Sequence, residues 1–186
     1  FTPPASMIVT SQNTGSDDAV DSDASAAGVV LAALPAGTTD LSYDLGVYEP
    51  ASLGDFVWED LNLNGLQDTG EPPVVGATVT LFGGASPLTT TTDATGHYLF
   101  DNLRPGSYHV EVTLPTGYAG TLQDVAADDA VDSDINVAGV MPVTTLVSGE
   151  HDMTWDAGIV KLGSIGDFVW EDVNANGIQD ASELGV

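Results

Sequence analysis

The chain has 186 residues, enough for one or two domains, and carries 28 acidic residues against 2 basic ones, a formal net charge of −26. This charge argues against nucleic acid as a partner and against binding to anionic membranes, because both require clustered Lys and Arg. The absence of cysteine excludes disulfides and thiolate metal sites. No apolar run is long enough to span a bilayer, so we expect no membrane insertion.

Within the central part of the chain, the hydrophobic pattern predicts β-strands throughout. Apolar and polar residues alternate in several segments, which is typical of half-buried strands. The predicted strands are, in chain order, Ser52–Trp58, Ala77–Phe82, Leu88–Thr92, His97–Phe100, Ser107–Leu114, Val137–Val147 and His151–Ile159. Residues 115–134 are predicted to be irregular and acidic. No segment has a helical period, so we predict an all-β fold of antiparallel β-sandwich domains in tandem.

An internal repeat of about 112 residues organises these elements. Gly54–Val74 matches Gly166–Val186 at an offset of 112, and Asp17–Asp23 matches Asp128–Asp134 at an offset of 111. The repeat predicts three parts: the C-terminal part of one repeat at 1–51, a complete repeat at 52–163, and the N-terminal part of the next at 164–186. We therefore expect the chain to be an internal piece of a tandem array.

The first strand of the complete repeat leads into a loop rich in oxygen donors. Its residues fit the twelve-residue EF-hand-like calcium loop, in which alternate side chains point at one ion and a glycine permits the sharp turn. The predicted ligands are Asp60, Asn62, Asn64, Leu66 through its carbonyl, Asp68 and Glu71. The second copy offers Asp172, Asn174, Asn176, Ile178, Asp180 and Glu183. The alternative is an Asx-rich surface turn that binds no metal.

The flanks of this loop distinguish it from helical calcium motifs. A strand precedes it, and Pro72-Pro73 follows Glu71, which makes a long exiting helix improbable. A dockerin, the runner-up interpretation, has loops that enter helices. A calcium sensor needs a pair of helices to open. The loop therefore indicates a structural calcium site in a β-domain.

A second acidic cluster follows in the irregular stretch, and it occurs in both copies. In the complete repeat its candidate ligands are Asp124, Asp128, Asp132, Asp134 and, from the last strand, Asp156. In the preceding repeat they are Asp17, Asp21, Asp23 and Asp44. We predict one or two further calcium sites here, so that Ca²⁺ is the expected cofactor, with two or more ions per complete repeat. The alternative is a solvated acidic loop.

These motifs together resemble the calcium-binding B-type domains of serine-aspartate repeat surface adhesins, relatives of the collagen-adhesin B-type fold. The resemblance is carried by Gly54–Glu71, Thr92–Val110, Val131–Asp134 and Trp155–Gly158. It implies a prealbumin-like β-sandwich, several calcium ions per domain and a role as a rigid surface stalk. Many collagen-adhesin relatives carry an internal Lys–Asn isopeptide bond. Residues 52–160 contain no lysine, which excludes that bond in this repeat.

No catalytic constellation is visible, and we predict that the chain is not an enzyme. Trp58, Trp155 and Trp170 are predicted to pack in the core or at interfaces. The main functional hypothesis is an extracellular, calcium-stiffened stalk or fibre module of a bacterial surface protein or secreted matrix. Its expected partners are neighbouring repeats of the same chain and, in a fibre, identical chains. The alternatives are a ligand-binding adhesin module for a host or surface ligand, and an ancillary domain of a secreted enzyme.

Overall fold

The computed structural model describes residues 1–186 and contains eleven β-strands and no helix, which confirms the predicted all-β fold. The strands are β1 (Ile8–Val9), β2 (Val47–Tyr48), β3 (Ala51–Glu59), β4 (Thr78–Phe82), β5 (Leu88–Thr91), β6 (His97–Leu103), β7 (Gly106–Val112), β8 (Tyr118–Gly120), β9 (Thr144–Leu146), β10 (His151–Asp152) and β11 (Ala157–Lys161). The structure thus contains no helix with the length and apolar character that crossing a membrane requires.

The complete repeat is a sandwich of two sheets. One sheet has the order β10–β3–β11–β8, with β6 also paired to β3, and the other has the order β5–β4–β7–β9. Neighbouring strands are antiparallel except that β3 runs parallel to both β10 and β11. The parallel pairs arise because the repeat begins with β3 and ends with β10 and β11, which return to the same sheet in the same direction. A separate small sheet of β1 and β2 belongs to the preceding repeat.

Strand β3 lies inside its sheet, and its sequence fits that position. Leu53, Val57 and Trp58 are fully buried, and β3 has hydrogen-bonded neighbours along its whole length. Gly54 is required by close packing, because a Cβ at this position would collide with the backbone carbonyl of Tyr98 on β6. This strand ends at Glu59, and the oxygen-rich loop begins at the next residue.

The core lies between the two sheets and contains 18 buried residues. Tyr98 and Phe100 of β6 point inward, as the alternation predicts, and their rings meet edge to face with centroids 6.0 Å apart. The alternate residues of β7 are buried as well, namely Tyr108, Val110 and Val112. Trp155 also belongs to this core, whereas Trp170 is only half-buried.

Two predicted strands are wrong in extent. Val137–Val147 is mostly not a strand, because the Asn136 side chain accepts hydrogen bonds from the amides of Ala138 and Val140 and closes a turn. Only β9 remains from that segment. His151–Ile159 is interrupted between β10 and β11, where the Trp155 indole donates to the Asp152 carboxylate over 2.7 Å. In the irregular acidic stretch, the sequence pattern missed the short strand β8.

The N-terminal part of the next repeat does not form the strand that its sequence identity with β3 predicts. Residues 164–186 contain a single isolated bridge, between Trp170 and Gly185. In the complete repeat β3 is held by β6, β10 and β11, and residues 164–186 include no counterpart of these strands. A strand of this kind therefore depends on its partners rather than on its own sequence.

Candidate metal centre

The first loop closes on itself through its own acidic side chains. Asp60, only 3% exposed, accepts hydrogen bonds from the amides of Asn62, Leu63 and Gly65 at 3.2, 2.7 and 2.8 Å. At the other end, Glu71 accepts from the amides at positions 61 and 68, over 2.8 and 3.1 Å. These bonds bring the first and last predicted ligands to the same loop.

The middle of the loop converges on one carboxylate. The side-chain amides of Asn62 and Asn64 both donate to Asp68 Oδ2, over 2.7 and 2.8 Å. Gly65 has a φ of 79°, the left-handed conformation that its place at the sharp turn requires. The structure thus gathers the side chains of Asp60, Asn62, Asn64, Asp68 and Glu71 around one loop, as the spacing predicts.

The second loop repeats this arrangement almost bond for bond. Gly177 donates to Asp172 over 2.7 Å, and the amides of Asn174 and Asn176 donate to Asp180 over 2.8 and 3.1 Å. Glu183 accepts from the amides of Val173 and Asp180 over 2.9 and 3.0 Å, and the Ile178 amide donates to the Asn176 side chain over 2.7 Å. The local geometry therefore follows from the shared loop sequence.

Only the first loop is docked on another segment. Leu66 forms a bridge with Asp132, the Ser133 amide donates to the Gly65 carbonyl over 3.1 Å, and the Gln67 amide donates to the Val131 carbonyl over 2.9 Å. In addition, the Thr121 hydroxyl donates to Asp60 Oδ2 over 2.5 Å. The calcium-type loop and the second acidic cluster therefore form one continuous structure.

The second cluster is built from a slightly different set than the sequence predicts. Asp129, Asp132 and Asp134 offer carboxylate oxygens that all lie within 4.8 Å of one another. The predicted Asp128 instead accepts from the Ala130 amide over 3.4 Å. Asp129 was missed, because nothing in the sequence separates it from Asp128.

The first copy shows the same division of roles. Asp18, Asp21 and Asp23 cluster within 4.8 Å, whereas the predicted Asp17 accepts from the Ala19 amide over 3.2 Å. Asp23 Oδ2 accepts from the Asp44 amide over 2.6 Å, just as Asp134 Oδ2 accepts from the Asp156 amide over 2.6 Å. The Asp44 side chain itself is exposed.

Asp156 lies next to the cluster, immediately before β11. It is fully buried, and its Oδ1 accepts from the Phe56 amide over 3.0 Å. Its Oδ2 has no hydrogen-bond partner in the protein, and neither has Oδ1 of Asp132, which is 1% exposed. Asp132 Oδ1 and Asp156 Oδ2 are thus buried without a well-formed hydrogen bond, although the Gln67 side chain lies near enough to Asp156 to act against the rise of its pKa.

Burial and mutual repulsion raise the pKa values of several carboxyls in and beside this cluster. Burial, with repulsion from Asp129, Asp132 and Asp124, raises the pKa of Asp134 to about 8. Burial raises the pKa of Asp156 to about 8 as well, and Asp55 on β3 is the strongest charged contributor. Burial beside Asp132 and Asp129 raises the pKa of Asp124. In the absence of a cation, Asp134 and Asp156 hold protons that ordinary carboxyls have lost at neutral pH.

Asp60 behaves in the opposite way. Burial acts to raise its pKa, but the hydrogen bonds donated by the Thr121 hydroxyl and by the loop amides outweigh burial, and the pKa lies below its usual value. Asp60 is therefore an anion already stabilised by its surroundings. The loop and the cluster differ in this respect, although they touch.

The donor set fits a hard divalent cation. Every candidate side chain offers oxygen, and Asp132 Oδ1 in the cluster and Asp156 Oδ2 beside it are buried without a hydrogen-bond partner. The two basic residues of the chain do not supply the counter-charge, because Arg104 donates to Ser11 and Lys161 is exposed at the end of β11. The residues present therefore fit a calcium ion better than they fit an internal ion pair.

These observations describe a β-sandwich repeat that carries oxygen-rich loops and acidic clusters. The chain belongs to the SdrD B-like domain family, whose family model matches residues 51–159. This membership confirms the resemblance inferred from the motifs, and it confirms the prediction that the chain is not an enzyme.

Similar proteins extend the match to the whole chain. Serine-aspartate repeat-containing protein F of Staphylococcus epidermidis is 40% identical over 191 residues, which cover 100% of this chain and 10% of that protein. Serine-aspartate repeat-containing protein D of Staphylococcus aureus strain Newman is 38% identical and covers 98% of this chain and 14% of its own length. The chain therefore spans only a small part of the relatives it matches.

Solved structures give weaker likenesses. GBS52, the minor pilin of Streptococcus agalactiae, aligns over 69% of this chain and 54% of its own with 14% identity and a TM-score of 0.44. The Bacillus anthracis TIE protein aligns over 60% of this chain and 16% of its own with 14% identity and a TM-score of 0.37.

Proposed function

We propose that this chain is an extracellular structural module in which bound calcium holds each repeat folded and stiff. The observation that carries the proposal is the group of buried carboxylates Asp132, Asp134 and Asp156, at 1%, 3% and 0% exposure. Burying unpaired carboxylates costs several kcal/mol per ion, and the energy must be recovered from a counter-ion or by protonation. A calcium ion taken from the medium supplies that counter-charge.

The contacts support two sets of ligands for the proposed sites. Asp60, Asn62, Asn64, Asp68 and Glu71, with the Leu66 carbonyl, would hold one ion. Asp129, Asp132 and Asp134 would hold a second, with Asp156 and Asp124 close by. Because Leu66 pairs with Asp132 and Ser133 binds Gly65, an ion at either site would fix the segment that carries the other. Calcium at the millimolar level found outside cells saturates even weak sites of this kind.

The proposed setting is the surface of a bacterium, in a protein with further repeats. The serine-aspartate repeat-containing proteins of staphylococci, at 38–40% identity over nearly the whole chain, support this setting. The two-residue connection Glu49–Pro50 between β2 and β3 favours a rod of closely spaced domains. Binding of a host ligand and assembly of identical chains into a fibre remain predictions.

The test is a thermal melt and a small-angle scattering profile in calcium, in magnesium and in chelator. At a thousandfold excess over Kd, one calcium site stabilises the fold by about 4 kcal/mol. For a domain of about 100 residues, this corresponds to a rise in Tm of about 20 °C. We expect chelator to lower Tm by at least this amount and to change the maximum dimension obtained from the scattering profile. An unchanged Tm and unchanged maximum dimension on chelation would refute the proposal.

A further inference from the structure

The joint between the preceding repeat and the complete repeat contains the only arginine of the chain. Arg104 lies in the turn between β6 and β7, and its Nη2 donates to Ser11 Oγ over 2.9 Å. Its guanidinium carbon lies 5.6 Å from the centre of the Tyr48 ring, within the range of a cation–π contact. Both partners belong to the preceding repeat, at the end of the small β1–β2 sheet.

We propose that Arg104 is a clamp that fixes the orientation of the complete repeat on the repeat before it. In a chain with 28 acidic and 2 basic residues, a guanidinium has many carboxylates to choose from. The structure places this one against a hydroxyl and an aromatic ring of the neighbouring repeat instead. The planar guanidinium can satisfy both partners at once, because it donates in its plane and stacks on its face.

The turn that carries Arg104 is itself held rigidly. The hydroxyl of Tyr108, whose ring is buried in the core, donates to the Arg104 carbonyl over 2.8 Å. A second contact lies beside it, where the Glu49 amide donates to Ser148 Oγ over 2.8 Å and the Gly149 amide donates to the Glu49 carbonyl over 3.0 Å. The joint therefore rests on two turns of the complete repeat, and Arg104 is the only basic side chain that bridges it.

The next joint cannot form the same clamp. At the repeat offset, Tyr48 corresponds to Val160 and Ser11 corresponds to Leu122, so neither the ring nor the hydroxyl is present. Glu49 corresponds to Lys161, which would repel an incoming guanidinium. The clamp is thus a property of the first joint, and successive joints of one chain differ in stiffness. The inference deepens the proposed stalk function by assigning the geometry of one joint to one side chain.

The test is a distance measurement across the joint in the full chain with calcium present. The chain has no cysteine, so the pair Leu41→Cys and Val75→Cys, at positions 87% and 61% exposed, can be spin-labelled uniquely. We expect one narrow distance distribution in the parent. In Arg104→Ala and in Tyr48→Leu, the ratio of the clamped to the unclamped population should fall about two- to fivefold, the factor expected for one exposed cation–π contact.

Lys161→Ala is the matched control. It removes the only other basic side chain of the chain, which lies at the next joint, where no clamp is present. Its distribution should equal that of the parent. Arg104 is exposed, so the melting of the complete repeat in calcium should be the same in all variants, which keeps this test separate from the calcium test of the stalk function. A parent-like distribution in Arg104→Ala would overturn the inference.

Discussion

The two calcium-type loops have nearly the same sequence and the same internal hydrogen bonds, but they differ in their surroundings. In the first loop, Asp60 is 3% exposed and receives the Thr121 hydroxyl, and the loop is bridged to Asp132. In the second loop, Asp172 is half-exposed and its hydrogen bonds come from within the loop. The comparison teaches that the loop sequence specifies a local shape, whereas the burial of the first loop residue and its contact with the acidic cluster come from the rest of the repeat.

The largest expected effect is the pH dependence of the stability of the calcium-free fold. It arises in the acidic cluster, which contacts the first loop and not the second. The pKa values of Asp134 and Asp156 are raised from 3.8 to about 8 in the folded state. Because the folded state holds these protons more tightly, their contribution to stability is complete below pH 3.8 and is lost as pH rises towards 8. In chelator, we expect the free energy of unfolding to fall between pH 5 and pH 8, by up to about 1.4 kcal/mol per pH unit and group.

Urea unfolding followed by tryptophan fluorescence would measure this slope. The double variant Asp134→Asn and Asp156→Asn should flatten it, and saturating calcium should flatten it in the parent. A calcium-free stability that rises or stays constant from pH 5 to pH 8 would contradict the raised pKa values.

The second prediction concerns the carboxylate cluster of the complete repeat. Asp132→Asn removes a buried ligand oxygen, so we expect the loss of about 4 kcal/mol of calcium-dependent stability. In chelator the same variant should be at least as stable as the parent, because a buried charge has been removed. Melts in calcium and in chelator measure both effects.

Asp128→Asn is the control for this prediction, since Asp128 lies next to the cluster and contributes only a turn contact. It should keep the full calcium-dependent rise in Tm. If Asp128→Asn loses this rise and Asp132→Asn keeps it, the division of roles between the two aspartates is wrong.

The third prediction compares the two loops directly through their first ligands. Asp60→Ala removes a buried anion that accepts hydrogen bonds from three amides and one hydroxyl, so we expect a loss of about 3 kcal/mol from the complete repeat. Asp172→Ala should leave the melting of the complete repeat unchanged. Calorimetry on both variants in calcium decides the matter, and equal losses would show that the loops are energetically alike.

The smallest expected effect sharpens the same comparison. Thr121→Val keeps the shape of the side chain and removes the hydroxyl that binds Asp60 Oδ2, which should cost about 1–2 kcal/mol. Thr113→Val, at an exposed position, is the matched control and should be neutral. Calcium titration should show a lower calcium affinity of the first loop in Thr121→Val only. An unchanged affinity in that variant would mean that Thr121 does not contribute to the site.

The fold was predictable where the local pattern and the tertiary structure agree. The alternation in β4, β6 and β7 predicted which side chains are buried, and the loop spacing predicted which oxygens converge. The segment Val137–Val147 was misjudged because Asn136 and Gly139 form a turn inside an apolar run. The parallel pairing of β3 with β10 and β11 could not be predicted, because it joins residues about 100 positions apart and no local signal encodes it.

The candidate site was predictable where its residues lie close together in the sequence. The two loops were found by spacing, but the sequence could not choose between Asp128 and Asp129, which differ only in which carboxylate caps the turn. Thr121 and Asp55 were missed because they lie far along the chain from Asp60 and Asp156, the groups that they affect. Their roles arise from position in space and have no motif of their own.

The sequence by itself determined the repeat, the all-β character, the two oxygen-rich loops and the exclusion of disulfide cross-links. These properties follow from residue type and spacing, which act over a few positions. Only the tertiary structure decided that Asp132, Asp134 and Asp156 are buried together, that Asp60 is stabilised from outside its loop, and that Arg104 faces the preceding repeat. Burial and charge proximity are sums over the whole fold, so they exist only once the strands have packed.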